Sequence, residues 1–432
     1  MARPNIAASA ERLVYRVAAL PVAVSAVFCS KGEGAAGTLR AAVVHRYWRP
    51  LGFSEWLELL LAFVVWPFAL LAGALWFTAR NGVIVRARSG RGIAAQFGDQ
   101  LKLYFAAGVA PPWYYIFSLY DGEGAERART YLQRFETKPA IFPLLKRKGG
   151  TPLNDKARFA EFCREHGIRC SETMALLHGS TPAQALPDRD LFVKPNNARG
   201  GRGAERWDVI GESRFAGPGG ERLSRPELLD RLAARSARTA LIVQARLGTH
   251  PELLDLTAGA LPTVRIVTCL DERGEPELIG AVFRMSIGAN RTVDNLHAGG
   301  IAAAVDLPTG RLSRATNLGS DARLGWLSLH PDTGARIEGR SLPLWEETKA
   351  LAVAAHRVFT DRVVIGWDVA ATDEGPVIVE GNGNPDMDIL QRFMREGLRK
   401  HRFADLLAFH LRQRVPHLSP LRDRQDGLTP AP

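Results

Sequence analysis

The chain has 432 residues, enough for two or three domains, and its 46% apolar and 23% charged residues are ordinary for a globular protein. A formal net charge of +11 favours anionic partners such as a nucleotide, a phosphorylated substrate or an anionic lipid. The basic residues are spread along the chain, so we expect no nucleic-acid partner. The four cysteines form no CxxC pair, which argues against a disulfide framework and a zinc site and fits a reducing compartment.

Residues 1–56 show no pattern that predicts a fold, and we treat them as a poorly defined N-terminal region. Within them, the apolar stretch 17–28 resembles the core of a signal peptide. No small-residue cleavage site follows it convincingly, so we do not expect this stretch to be cleaved.

Residues 59–77, which read LLLAFVVWPFALLAGALWF, carry no charge and are long enough to cross the ~30 Å apolar core of a bilayer as a helix. Trp56 and Trp76 lie near its two ends, where interfacial aromatic residues are found. Pro67 permits a kinked span or a re-entrant hairpin. The alternative is a very apolar buried helix of a soluble domain. We predict a membrane-spanning or re-entrant segment over 57–79, and the basic residues on both sides do not indicate its orientation.

The remainder divides into a helical, aromatic-rich connector over 80–137, a domain of strands and helices over 138–415 and a disordered tail over 416–432. Within the domain over 138–415, short strands alternate with helices. The predicted elements are a helix capped by Asn154 or Asp155, strands at 191–194 and 241–245, a hairpin of 263–270 and 277–284, a helix near 342–359, and a hairpin of 363–370 and 376–380. Strand pairs mixed with helices predict an α+β fold rather than a doubly wound parallel sheet.

The last predicted hairpin carries two carboxylates that could bind a metal. Asp368 and Glu380 are symmetric about Glu374, so an undistorted antiparallel register places them opposite one another on one face. Two carboxylates that close repel unless a cation lies between them, and Asn382 adds a neutral oxygen on the same side. This all-oxygen set is the kind that Mg²⁺ prefers. A solvated hairpin edge is the alternative.

Lys194 ends a predicted strand and precedes a loop with three glycines, Gly200, Gly201 and Gly203. Glycines let backbone N–H groups approach an anion, and the lysine adds a point charge for phosphate. The order differs from that of a P-loop, in which the lysine follows the glycines. A mobile surface loop is the alternative for this segment, and Lys156 by itself is typical of a solvated surface charge.

Arg265 and Arg284 lie in the two strands of the earlier hairpin, where they could neutralise a triphosphate or a substrate carboxylate. The sequence DNLHAGG at the exit of that hairpin supplies Asn295 and His297. A histidine by itself is more often an ordinary surface or core residue.

Taken in order, the motifs KPNNARGGRG, TVRIVT, FRM, DNLHAGG, GWDVA and VIVEGNGNP resemble the ATP-grasp superfamily. The resemblance is to the branch of sugar-transfer-associated ATP-grasp proteins, with similarity to the glutamate-adding ribosomal-protein ligases. It covers residues 138–410. It implies an ATP-grasp fold, in which two α+β lobes grip ATP.

The resemblance also implies roles for individual residues. The ATP phosphates would be contacted by Lys156 and Lys194 and covered by a flap containing Gly200, Gly201 and Gly203. Adenine would be bound at the hinge by Gln244 and Leu247, with Gln244 standing where many members have an acidic residue. The catalytic residues would be Arg265, Arg284, Asn295 and His297. Asp368, Glu380 and Asn382 match the metal ligands of the family.

The activity that the resemblance implies is an ADP-forming carboxylate–amine ligase that works through an acyl phosphate, with ATP and Mg²⁺ (or Mn²⁺) as cofactors. Its substrates would be a carboxylate and an amine, either small molecules or linked to a glycan. The catalytic domain would lie at the cytoplasmic face of the cell membrane. A phosphotransferase and a nucleotide-binding membrane scaffold without turnover are the two alternatives.

Overall fold

A computed structural model describes residues 34–48, 52–121, 124–179, 186–197, 201–288 and 299–415, together with Leu20, Thr292, Asp294, Leu296 and Leu418. The stretch 17–28 and the predicted tail over 416–432 therefore lie almost entirely outside the described residues, as do the predicted site residues Gly200, Asn295 and His297.

The described helices are α1 (Gly34–Tyr47), α2 (Phe53–Ser89), α3 (Ile93–Ala107), α4 (Pro111–Ile116), α5 (Gly124–Ala128), α6 (Arg134–Glu136), α7 (Phe142–Leu145), α8 (Lys156–Glu165), α9 (Arg225–Ser236), α10 (Trp345–Val358), α11 (Met387–Met394) and α12 (Arg402–Arg414). The described strands are β1 (Thr173–Leu177), β2 (Leu191–Pro195), β3 (Glu205–Gly211), β4 (Arg214–Ala216), β5 (Arg222–Ser224), β6 (Leu241–Ala245), β7 (Thr263–Leu270), β8 (Pro276–Met285), β9 (Ile301–Val305), β10 (Leu312–Thr316), β11 (Val364–Thr372) and β12 (Gly375–Asn382). A π-helical turn, Thr137–Ile141, joins α6 to α7.

The strands form two six-stranded sheets. The first sheet has the order β1-β6-β2-β3-β4-β5 and the second has the order β10-β9-β8-β7-β11-β12. Neighbouring strands are antiparallel throughout both sheets. The predicted α+β fold is confirmed, and so are the six strands predicted from the sequence.

Both faces of the second sheet are buried. Alternate residues of its strands point to opposite sides, and both sets belong to hydrophobic clusters. Ile266 of β7 belongs to the cluster that includes Ala352 of α10. Its neighbour Val267 belongs to the opposite cluster, which includes Leu390 of α11 and Leu407 of α12. The sheet is therefore the middle layer of three, with helices on both sides.

The cluster on the α11 side also contains residues from the first part of the chain. Leu39 and Val43 of α1 and Leu132 before α6 are buried in it beside Leu390. Segments on both sides of residue 138 thus share one core.

The predicted apolar segment is part of a longer helix. Among the described residues, α2 is the one helix long and apolar enough to cross a membrane. It continues ten residues past the predicted end at 79, and it runs through Pro67 without a turn, so no hairpin forms at that proline. Its C-terminal residues are followed by Gly90 in the left-handed conformation, with a φ of 74°.

Candidate active site between the two sheets

The β11–β12 hairpin brings Asp368 directly opposite Glu380, as predicted. The register is not the undistorted one that the prediction assumed. Beyond a β-bulge next to Asp368, Val369 pairs with Ile378, and that register continued without the bulge would place Val379 opposite Asp368. The bulge therefore puts the two carboxylates on the same face.

Asn382 lies two residues beyond Glu380 on β12, so both side chains lie on one face of the strand. The amide nitrogen of Asn382 donates a hydrogen bond of 3.3 Å to Oε1 of Glu380. Asp368 is buried, whereas Glu380 and Asn382 are half-buried. Within the described parts of the chain no group of three His, Cys, Asp or Glu residues could hold a metal. Two carboxylates and one amide oxygen still fit Mg²⁺ or Mn²⁺, hard cations that take oxygen ligands and keep bound water.

Asp368 is held between two arginines. Arg265, its neighbour on β7, donates from Nε to Oδ1 and from Nη2 to Oδ2, the second bond at 2.9 Å. Nη2 of Arg284 lies 2.9 Å from Oδ2 of Asp368. Burial acts to raise the pKa of Asp368, but the charges of Arg265 and Arg284 outweigh it and hold that pKa well below its usual range. The carboxylate is therefore ionised at neutral pH.

Asp294 was not predicted as a site residue, although it lies in the DNLHAGG motif. Its carboxylate is buried, accepts a hydrogen bond from Oγ1 of Thr263 and lies 3.4 Å from Nε of Arg284. Nε of Arg284 also donates to Oγ1 of Thr263 at 3.1 Å. Asp294 and Thr263 therefore hold the Arg284 guanidinium beside Asp368.

Lys194 faces this hairpin from the first sheet. It is only 8% exposed at the end of β2. Burial lowers the pKa of Lys194 to about 8, and Lys156 also lowers it, while Glu380 and Asp368 act to raise it. Since Lys156, Glu380 and Asp368 all act on the charge of Lys194, the two lysines of the first lobe and the two carboxylates of the second lie around one cleft.

Asn196, which the sequence analysis missed, fixes the position of the two lysines. Its Oδ1 accepts from the N–H of Ala157 at 3.0 Å, and its Nδ2 donates to Oδ1 of Asp155 at 3.0 Å. Asp155 is the cap of α8, which confirms one of the two predicted capping residues. Nζ of Lys156 donates to the backbone oxygen of Asn196 at 3.1 Å. The position of Asn196, directly after the Lys-Pro pair, was the signal that could have identified it.

A model of the family described as sugar-transfer associated ATP-grasp matches residues 141–405, more than half of the chain. The chain belongs to this ATP-grasp family. Its two antiparallel sheets are the two lobes of the ATP-grasp fold. No curated protein matches the chain.

Solved structures that match include a D-alanyl-alanine synthetase, a D-alanine–D-alanine ligase and an N5-carboxyaminoimidazole ribonucleotide synthetase. A D-alanyl-alanine synthetase A from Vibrio cholerae is 14% identical with a TM-score of 0.35, and the match covers 61% of this chain and 66% of that one. A D-alanine–D-alanine ligase from Bacillus anthracis in complex with ATP is 12% identical with a TM-score of 0.33 and coverages of 64% and 68%. An N5-carboxyaminoimidazole ribonucleotide synthetase in its ADP complex is 10% identical with a TM-score of 0.31, covering 55% of this chain and only 46% of its own.

The glycine-rich loop of this ATP-grasp chain is described in part. Gly201 and Gly203 adopt φ angles of 70° and 72°, which residues other than glycine rarely adopt. The guanidinium of Arg235 donates to the backbone oxygen of Gly203, so the end of the loop is attached to α9. Its role as a phosphate flap stays a prediction.

The two residues assigned to adenine lie in and after β6. Gln244 is buried, and its Nε2 donates to the backbone oxygen and to Oγ of Ser171, both at 3.2 Å. Leu247 follows the strand and is half-buried. The Gln244 amide nitrogen is thus bound within the protein, and a role for either residue in binding adenine stays a prediction.

Proposed function

We propose that this chain is a Mg-ATP-dependent ligase that joins a carboxylate to an amine through an acyl phosphate. The observation that carries the proposal is the convergence of Lys194, Arg265 and Arg284 on the Asp368–Glu380 pair. Buried and half-buried cations around an all-oxygen ligand set suit a nucleoside triphosphate bound with a divalent metal.

In this proposal Asp368, Glu380 and Asn382 would hold Mg²⁺ or Mn²⁺, which would offset phosphate charge when bound. Lys194 and Lys156 bind phosphate oxygens from the first lobe, and Arg284 binds them or the substrate carboxylate from the second. The chain's own contribution is to neutralise charge and to align the reacting groups.

The proposed reaction has two steps. An oxygen of the substrate carboxylate bonds to the γ-phosphorus of ATP while the bond from that phosphorus to the β,γ-bridging oxygen breaks, and ADP leaves with the electron pair. The amine nitrogen then bonds to the acyl carbon, inorganic phosphate leaves with the C–O electron pair, and the amine proton passes to solvent. The loop with Gly201 and Gly203 would exclude water that hydrolyses the acyl phosphate.

The substrate class is proposed on the description of the family. A sugar-transfer association suggests a precursor or intermediate of a cell-surface saccharide. The exposed apolar side chains of α2 support membrane contact. The catalytic domain would lie at the cytoplasmic face, because an ATP-using domain belongs in the cytoplasm.

Turnover assays test the proposal. ADP release is measured with candidate carboxylates, with and without amines, and with hydroxylamine to trap an acyl phosphate as a hydroxamate. Hydroxamate formation supports the ligase. A stable phosphorylated product indicates a phosphotransferase, and ATP binding without turnover under all conditions indicates a scaffold.

The metal site has its own test. Asp368→Asn combined with Glu380→Gln is expected to lower Mg-ATP turnover at least about a thousandfold, because the metal site loses both of its carboxylate charges. The matched control is Asp373→Asn with Glu374→Gln, which removes two exposed carboxylates from the turn of the same hairpin. Equal turnover by the two double variants would contradict the site, provided that circular dichroism shows both to be folded.

A further inference from the structure

The C-terminal half of α2 is attached to the ATP-grasp domain. Asn81 is fully buried, donates from Nδ2 to the backbone oxygen of Ser320 at 3.3 Å, and accepts from the N–H of Ala322 at 2.8 Å. Arg80 forms a 2.9 Å ion pair with Asp321. This end of the helix therefore lies against the loop that follows β10.

The N-terminal half of α2 is attached to the same body. The ring of Phe63 lies 5.8 Å from that of Trp48, which directly follows α1. The preceding residue, Tyr47, donates its hydroxyl to the backbone oxygen of Phe135 at 2.8 Å. Phe135 belongs to the core shared with α11 and α12.

Between these two points, one side of α2 is covered by α3 and α4. Trp66 stacks on Tyr104 of α3 with ring centroids 5.5 Å apart. Gly73 faces Pro111 of α4, where an added Cβ would come within 3.5 Å of the proline ring. Ala74, one residue further, is fully buried.

The opposite side of α2 is an exposed apolar stripe. Its members are three or four residues apart, the spacing of one helix face, and each is between 50% and 85% exposed. The stripe consists of Phe53, Leu57, Leu60, Val64, Phe68, Leu71 and Leu75. It extends about 33 Å along the helix. Phe105 of α3, 67% exposed and edge-on to Trp66 at 6.1 Å, widens the patch.

The two attachment points exclude a helix that crosses the bilayer with its ends in opposite aqueous phases. Phe63 and Asn81 are about 27 Å apart along the helix, close to the ~30 Å thickness of the apolar core. In a span they would therefore lie on opposite sides of that core. Both contact one body, which carries the charged groups of the ATP site and cannot lie on both sides.

We propose that α2 lies in the plane of the membrane, with the stripe immersed in the acyl chains of one leaflet. A lipid surface is the occupant because the contiguous apolar patch is about 33 Å long and is followed by exposed cations, Arg86 beyond its C-terminal end and Lys102 on α3. The proposal rests on the membrane contact proposed above and is independent of the ATP chemistry.

Three single-cysteine positions on the stripe, Leu57→Cys, Val64→Cys and Leu71→Cys, test this geometry in the full chain. Each is labelled with a nitrobenzoxadiazole fluorophore, and its depth is measured by quenching with spin-labelled lipids in vesicles of phosphatidylcholine and phosphatidylglycerol. Successive positions are seven residues apart, about 10 Å along the helix. The chain without added cysteine, taken through the same labelling, controls for the four native cysteines.

An in-plane helix gives one depth for all three labels, within the leaflet that faces the added protein. A depth that changes by several ångströms from each label to the next would overturn the proposal in favour of a span. No quenching, with the chain left in the supernatant, would overturn it together with the membrane contact. Binding of an ATP analogue by the same samples reports on the ATP site separately.

A charge-substituted pair tests the role of the stripe. Leu60→Glu with Phe68→Glu is expected to lower vesicle affinity at least about tenfold, because two large side chains no longer enter the acyl region. Leu176→Glu with Ile210→Glu, two exposed apolar residues of the first sheet, is the matched control and should bind like the unsubstituted chain. An equal loss of vesicle affinity in both pairs would contradict a specific role of the stripe in membrane binding.

Discussion

Lys194 is a buried lysine whose charge depends on its surroundings. Burial favours its neutral form and lowers its pKa to about 8, against an unfolded value of about 10.4. Between these two pH values the unfolded chain binds more protons than the folded chain. The contribution of Lys194 to stability therefore becomes more favourable as pH rises from about 8 to about 10.4.

The affinity for ATP should change in the opposite direction, because a phosphate anion is bound by the charged form of Lys194. We expect the affinity for an ATP analogue with Mg²⁺ to fall as pH rises through about 8, by up to about tenfold for each pH unit. Titration calorimetry at several pH values measures it.

Lys194→Arg is the matched control, since a guanidinium stays charged throughout this pH range. Its affinity should change much less with pH. The same pH dependence in both proteins would mean that another group titrates.

At the scale of single elements, the hydrogen bonds of Asn196 join the start of α8 to the end of β2. The bond from Ala157 satisfies one of the backbone N–H groups that a helix leaves free in its first turn. The bond to Asp155 reaches the residue that caps the helix. One side chain therefore sets the separation of Lys156 and Lys194.

We expect Asn196→Ala to lower the free energy of unfolding by about 1–3 kcal/mol, because buried polar groups lose their partners. It should also weaken ATP binding, because the start of α8, which carries Lys156, loses its side-chain bonds to the end of β2. Denaturant unfolding and calorimetry measure the two effects. Asn197→Ala, at the exposed neighbouring position, should change neither, and a loss of the same size there would contradict the role of Asn196.

At the scale of the whole molecule, the segment before residue 138 completes the core of the ATP-grasp domain. Leu39, Val43 and Leu132 fill one side of the cluster that contains Leu390 and Leu407. Removing them would expose apolar area on α11 and α12 to water.

A shortened chain that begins at residue 138 is therefore expected to aggregate or to bind a hydrophobic dye strongly, although its ATP-site residues are all present. Sedimentation and dye fluorescence against the full chain measure this. A soluble shortened chain with the unfolding temperature of the full chain would show that the two parts fold separately.

The local sequence pattern was sufficient to predict the strands that carry the site. Short apolar runs separated by turn residues placed β7, β8, β11 and β12 almost at their observed bounds, since both signals are local in the sequence. Lys194 and the glycines that follow it also lie close together in the chain. The uncharged stretch 59–77 predicted a long apolar helix, because its length and composition are also local properties of the sequence.

Only the tertiary structure decided how these elements meet. The bulge that aligns Asp368 with Glu380 depends on strand pairing, and the bonds of Asn196 and Asp294 join segments distant in sequence. The proposed direction of α2 relative to a membrane rests on the contacts of Phe63 and Asn81 with the rest of the molecule. Periodicity within a segment contains no information on such long-range contacts. The sequence alone therefore predicted the main strands of the site and the long apolar helix, and the packing determined where the site and the apolar stripe lie.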